Sequence, residues 1–239
     1  MRPILLISAL AVCAWGCSPT EPTETKTGTA TDAPKTETPA TTPETTPAAP
    51  TGEAGALADG APGASAPAVG DEVAVLDTSD GRIVVKFFPD KAPKTVENFK
   101  TLTNKSFFDG TKFHRIVKGF MIQGGDPLTK DEKAKARWGT GDPGYKINAE
   151  FNDVPHTRGI LSMARSNDPD SAGSQFYIVH QDSNFLDGKY TVFGQVVDGM
   201  KTVDAIAETP TTTGASGENS DPTKPIVVKS VKIEKWPVK

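Results

Sequence analysis

Past residue 17 the chain has no cysteine, since both of its cysteines, Cys13 and Cys17, stand at the N-terminus. The remaining sequence therefore cannot form a disulfide, a thiolate nucleophile or a Cys-ligated metal site. An excess of positive charge is also missing. The 239 residues carry 26 Lys and Arg against 30 Asp and Glu, and residues 71–239 balance at 23 of each. Nucleic-acid binders need a basic face to meet phosphate, so that class is excluded. After the N-terminus no apolar run reaches the 18 or more residues of a membrane-spanning helix. The three histidines, His114, His156 and His180, lack metal-ligand spacing, and no metal is expected. Asp168-Pro169-Asp170 starts like a calcium loop, but Ala172 takes a ligand position and no Glu follows at the twelfth, so it reads as a turn. Gly124-Gly125-Asp126 lacks the ending of a phosphate loop, and no nucleophile elbow supports a Ser/His/Asp triad. The usual metal, phosphate-loop and triad constellations therefore fail.

Three unlike segments are present. Residues 1–17 have one positive charge at Arg2, an apolar run from Ile4 to Trp15 and small residues before Cys17, the pattern of a secretory signal. Ala14-Trp15-Gly16-Cys17 resembles a bacterial lipobox, which implies lipidation of Cys17 and attachment to a membrane rather than passage through it. The expected location is the cell envelope, on the periplasmic face or the outer membrane; the alternative is a soluble secreted protein. Residues 18–70 hold 13 Thr, 12 Ala and 9 Pro, with no aromatic residue. Such a stretch cannot bury enough apolar area to offset its ordering entropy. It reads as a disordered tether spanning about 40 Å.

Residues 71–239 form the folded part. Val73, Val75, Ile83, Val85 and Phe87 follow a period of two around Ser79-Asp80-Gly81, a β-hairpin. Pro93 opens a helix carrying Val96, Phe99 and Leu102 and closing near Asn104. Short apolar strands are expected at 113–117, 160–164, 176–179 and 192–196, a second helix over 200–207 and a last strand over 226–233. Many short strands with two helices make the fold mainly β, an antiparallel barrel closed or nearly so.

One segment joins an arginine, apolar residues and a glutamine within nine positions: Phe113-His114-Arg115-Ile116-Val117-Lys118-Gly119-Phe120-Met121-Ile122-Gln123-Gly124-Gly125-Asp126. It resembles the signature of the cyclophilins, the peptidyl-prolyl cis–trans isomerases. Gly159–Ala164, Gly173–Ile178 and Phe185–Gly194 are similar to three further blocks of that family, in its order. The resemblance implies a closed eight-stranded antiparallel barrel capped by two α-helices. It makes Arg115 the catalytic arginine and Gln123 its polar partner. Phe120, Met121, Tyr177 and Leu186 would line the proline pocket. Ala164, Arg165 and Gln175 would hold the residue before proline, and Phe185 and Tyr190 would complete the rim. Arg165 stands where many members have Asn, Phe185 replaces a Trp and Tyr190 a His; the Trp replacement implies weakened cyclosporin binding. The implied partners are proline-containing polypeptides met by a monomer, with no cofactor. The implied role is folding of extracytoplasmic proteins, the alternative being a prolyl-peptide binding module or tethered chaperone with little turnover. Residues 127–143 form an insert, read as a solvated loop with a helical turn, with Trp138 as a possible partner contact. Thr209–Pro225 reads as a second surface loop.

Overall fold

The computed structural model describes residues 59–214 and 217–239. The leader, Cys17 and the expected tether up to residue 58 lie outside the described residues. Strands β1 (Glu72–Thr78) and β2 (Gly81–Phe87) form the expected hairpin, followed by α1 (Pro93–Asn104). Then come β3 (Lys112–Phe113), β4 (Arg115–Val117) and β5 (Met121–Gly124). Strands β6 (Ile160–Met163), β7 (Phe176–Val179) and β8 (Val192–Asp198) lead to α2 (Met200–Ala207). A small hairpin, β9 (Thr211–Thr213) and β10 (Asn219–Pro222), precedes β11 (Ile226–Lys235).

Nine strands share one sheet in the order β3-β11-β1-β2-β8-β6-β7-β5-β4, every pairing antiparallel. Its two ends, β3 and β4, are halves of one run separated only by His114. The His114 N–H still donates to the Gln123 carbonyl at 3.0 Å. The barrel is therefore nearly closed, and the eight strands expected become nine because one run is split at His114.

Strand alternation explains the core. Ala74, Leu76, Ile83 and Val85 point inward, whereas Val73, Val75 and Val84 face out and are covered by Val197 and Trp236. The periodic residues of the first hairpin thus fall on opposite faces, and both faces are buried. On α1, Phe99 packs against Phe108, Phe176 and Phe193 at ring-centroid distances of 4.8, 5.7 and 5.6 Å. Each such side chain contributes about 1.5–3 kcal/mol by leaving water.

Both helices start without a capping side chain of their own, at Ala92 and Gly199. Distant carboxylates meet their free amides instead. Glu150 accepts from the N–H of Lys94 and of Thr95 at 3.1 and 2.8 Å. The Asp59 carboxylate accepts from Lys201 N–H at 2.6 Å, and the Asp59 carbonyl from Met200 N–H at 2.8 Å. Asp59 belongs to the stretch assigned to the tether, as does Ala61, which is buried in the core and donates to Val196 O at 3.1 Å. Residues 59–70 therefore pack on the barrel, and the folded part begins before residue 71.

Candidate active site

The register of three adjacent strands builds the site. Arg115 on β4 lies opposite Gln123 on β5, and Gln123 lies opposite Tyr177 on β7. One residue along, Ile116, Ile122 and Ile178 form a second row, fully buried in the barrel core. Side chains alternate across a strand, so the arginine, glutamine and tyrosine necessarily share the outer face. Met121 joins them two residues before Gln123. At the end of β5, Gly125 adopts φ +84° where an added Cβ would collide with the Ser174 carbonyl. That close approach lets Ser174 Oγ donate to Gly125 O at 2.7 Å and ties β5 to the turn before β7.

A cavity of about 110 Å³ opens beside this row. Nine of the eleven expected site residues line it: Arg115, Phe120, Met121, Gln123, Ala164, Arg165, Tyr177, Leu186 and Tyr190. The other two sit next to it. Phe185, 64% exposed, stacks on Phe120 at 5.5 Å and forms the outer rim. Gln175 accepts from Gln123 Nε2 at 3.0 Å and donates to the carbonyls of Gly139 and Gly141, both at 2.9 Å. Arg165 directs its guanidinium to backbone carbonyls of Lys189 and Ser166 and lies 4.6 Å over the Tyr190 ring. Its side chain therefore braces the rim.

Arg115 donates from Nη1 to Gln123 Oε1 at 3.2 Å, with Met121 Sδ at 3.8 Å. Its Nε and Nη2 donate to Glu218 at 2.6 and 2.9 Å. Those bonds hold the Glu218 carboxyl below the usual carboxylate range. Burial pushes the Tyr177 phenol up, so it stays neutral.

Beneath Tyr177 lies a group that motif reading passed over. The buried His156 ring stacks on Tyr177 at 6.2 Å and meets Tyr190 edge-on at 6.4 Å. Its Nδ1 is 2.9 Å from Asp187 Oδ1 and its Nε2 is 3.1 Å from Ser162 Oγ. The residues form an Asp–His–Ser line, yet Ser162 is fully buried and also lies 2.9 Å from the Thr191 carbonyl. It cannot meet a substrate carbonyl, so the line acts as a scaffold. Burial pushes the His156 imidazole below its ordinary value, against the pull of Asp187.

The insert is largely exposed and carries the expected helical turn. It forms two 3-10 turns, Pro127–Lys130 and Glu132–Arg137. The buried Asp126 accepts from Leu128 N–H at 2.7 Å and from Gly139 N–H at 2.5 Å. Lys112 Nζ reaches Thr129 O and Glu132 Oε1 at 2.5 and 2.9 Å and lies 5.0 Å from the Trp138 ring. Trp138 thus covers a buried lysine. Between this insert and β10 a larger cavity of about 460 Å³ adjoins the first, sharing Arg115 and Gln123.

Residues 73–233 match the model of the cyclophilin type peptidyl-prolyl cis–trans isomerase family. A peptidyl-prolyl cis-trans isomerase of Acinetobacter baylyi is 41% identical over 176 residues, covering 71% of this chain and 89% of that protein. A probable peptidyl-prolyl cis-trans isomerase of Brucella abortus is 39% identical over 184 residues, covering 75% and 91%. A crystal structure of a Cryptosporidium parvum cyclophilin, solved in the presence of the dipeptide Ala-Pro, superposes with a TM-score of 0.60 at 30% identity, covering 68% of this chain and 99% of that one. The chain belongs to the cyclophilin family and is a peptidyl-prolyl cis–trans isomerase.

Proposed function

We propose that this isomerase turns X–Pro bonds of extracytoplasmic polypeptides, with Arg115 as the catalytic residue and Gln123 as its polar partner. The observation that carries the reading is the cross-strand pair Arg115–Gln123 at the mouth of the 110 Å³ apolar cavity. The barrier to rotation, about 18–20 kcal/mol, comes from amide resonance, and no bond breaks. In the twisted transition state the proline nitrogen becomes pyramidal and gains a lone pair. A fixed donor aimed at that nitrogen binds the transition state better than either planar isomer. Arg115 is always charged and presents several donors, and Nη1 is the one on the cavity side. A turnover near 10³ per second requires removing roughly 5–7 kcal/mol, and one charged hydrogen bond contributes about 1.5–3 kcal/mol. The cavity supplies the remainder, because the planar amide is the more dipolar state and apolar walls of Phe120, Met121 and Leu186 disfavour it.

The substrates are proline-containing chains, with proline between Phe120, Met121 and Leu186 and the preceding residue over Ala164, Arg165 and Gln175. Phe185 in place of the Trp of the best cyclosporin-binding members supports weak cyclosporin binding. The leader, the lipobox-like Cys17 and the following Thr/Pro-rich stretch support anchoring in the cell envelope. Cys17→Ala should move the protein from the membrane to the soluble fraction; unchanged membrane fractionation sinks the anchor.

The decisive experiment is exchange NMR on a short Ala-Pro-Phe peptide with the protein and its Arg115→Ala variant. The variant should keep its fold and lose about 10–10²-fold in exchange rate, the rate equivalent of about 1.5–3 kcal/mol from one charged hydrogen bond. Full exchange in that variant would refute the assignment.

A further inference from the structure

Arg115 has a partner that the strand ladder does not supply. Glu218 stands 103 residues further along, just before β10, in the hairpin that packs against β4. Its carboxylate takes two parallel bonds, from Nε at 2.6 Å and from Nη2 at 2.9 Å. This is the fork-to-fork geometry in which a planar carboxylate fixes the plane of a guanidinium. The opposite edge remains. Nη1 faces Gln123 Oε1 and Met121 Sδ, the two side chains that β5 contributes to the cavity. The carboxylate therefore grips the far edge of the arginine and turns the near edge to the pocket.

We propose that Glu218 is the positioning residue for the catalytic guanidinium, a reading that rests on the assignment of Arg115. The need for it follows from the site's construction. Arg115 projects from the outside of the barrel, and its side chain is still 35% exposed, with Glu218 at 37%. An arginine in such a place has many rotamers, and transition-state stabilisation needs one of them. Beside the arginine, Phe120 offers only a ring face, 5.9 Å from the guanidinium carbon, which does not fix rotation about the long stem. Pairing also cancels the net charge of the arginine, so the site presents an oriented donor rather than a diffuse positive field. An inhibitory role in the 110 Å³ cavity is disfavoured by the same geometry, since Glu218 does not line that cavity and occupies the arginine edge on the side of the adjoining 460 Å³ cavity.

The test compares Glu218→Gln, Glu218→Ala and Arg115→Ala in the whole protein, with kcat and KM measured separately and the Arg115 Nε–H followed by NMR. Glu218→Ala should lower kcat about tenfold with KM within about twofold, the pattern of lost orientation at the reacting group. Glu218→Gln keeps one acceptor oxygen and should fall between. The Nε–H signal should lose its protection in Glu218→Ala and part of it in Glu218→Gln, while the thermal midpoint stays near that of the parent. An unchanged or increased kcat in Glu218→Ala, alongside an inactive Arg115→Ala, would overturn the proposal alone. Full activity in Arg115→Ala would instead show that the assignment of the arginine had failed, taking this proposal with it.

Discussion

The two sides of the active site are built in different ways. One side is the strand wall of β4, β5 and β7, where Arg115, Gln123 and Tyr177 face out because Ile116, Ile122 and Ile178 face in. The other side is the polar rim of the insert and the β9–β10 hairpin, held by Asp126, Lys112 and the Glu218 carboxylate. In the wall, the atoms that define the pocket also belong to a packed cluster, so function and stability share them. In the rim, Asp126 and Lys112 are buried. The half-exposed Arg115–Glu218 pair contributes little to stability yet fixes where the arginine points. The strands decide which groups are present; the loops decide how they are aimed.

The largest effect expected from this contrast is at Met121, buried in the wall. Met121→Ala should cost about 2–5 kcal/mol of stability and most of the isomerase activity at once, read by thermal melting and peptide exchange. Loss of activity at full stability would separate what the wall is said to share. The next effect is on pH. His156 is neutral beneath the wall because burial lowers it from an ordinary value of 6.5. A depressed histidine contributes stability that is complete above the unfolded value and declines as pH falls from about 6.5 toward the lowered folded one. Glu218, lowered from 4.5 by Arg115, loses its contribution only as pH falls below about that value. Thermal midpoints should therefore decline first through the wall, and His156→Asn should flatten the upper part of the curve. His114 and His180 are depressed too, so part of the slope should remain. An identical curve in His156→Asn would show that this histidine does not hold the wall. The smallest effect is at the exposed Phe185. Phe185→Ala should leave stability within about 0.5 kcal/mol and weaken peptide binding by about two- to tenfold, measured by titration; a marked drop in thermal midpoint would place it in the wall instead.

The parts of the fold that were legible in the sequence are those with local signals. Period-two alternation marked β1 and β2, apolar runs marked β6, β7, β8 and β11, and helical spacing with Pro93 marked α1. The second hairpin was read as a surface loop because Thr211–Thr213 and Asn219–Pro222 have no apolar alternation; their pairing comes from packing on β4. Glu218 was missed for a related reason. A single glutamate in a Thr- and Gly-rich stretch carries no sign of an arginine 103 positions away. His156 has no motif spacing, and its partners, Ser162 and Asp187, lie 6 and 31 residues further on. Ala61 and Asp59 were placed in the tether on composition, which does not register that one alanine fills a core site and one aspartate caps a distant helix.

The split strand at His114 has one more consequence. Because β3 and β4 are the two ends of the sheet and also neighbours in the chain, β3 pairing with β11 and β4 with β5, the large sheet has little of the long edge that two separated end strands would leave as a row of unpaired backbone groups. Unfolded polypeptides are rich in segments that seek such a row as a template for aggregation. A sheet whose ends join in one run thus leaves an extended chain little edge on which to add a strand.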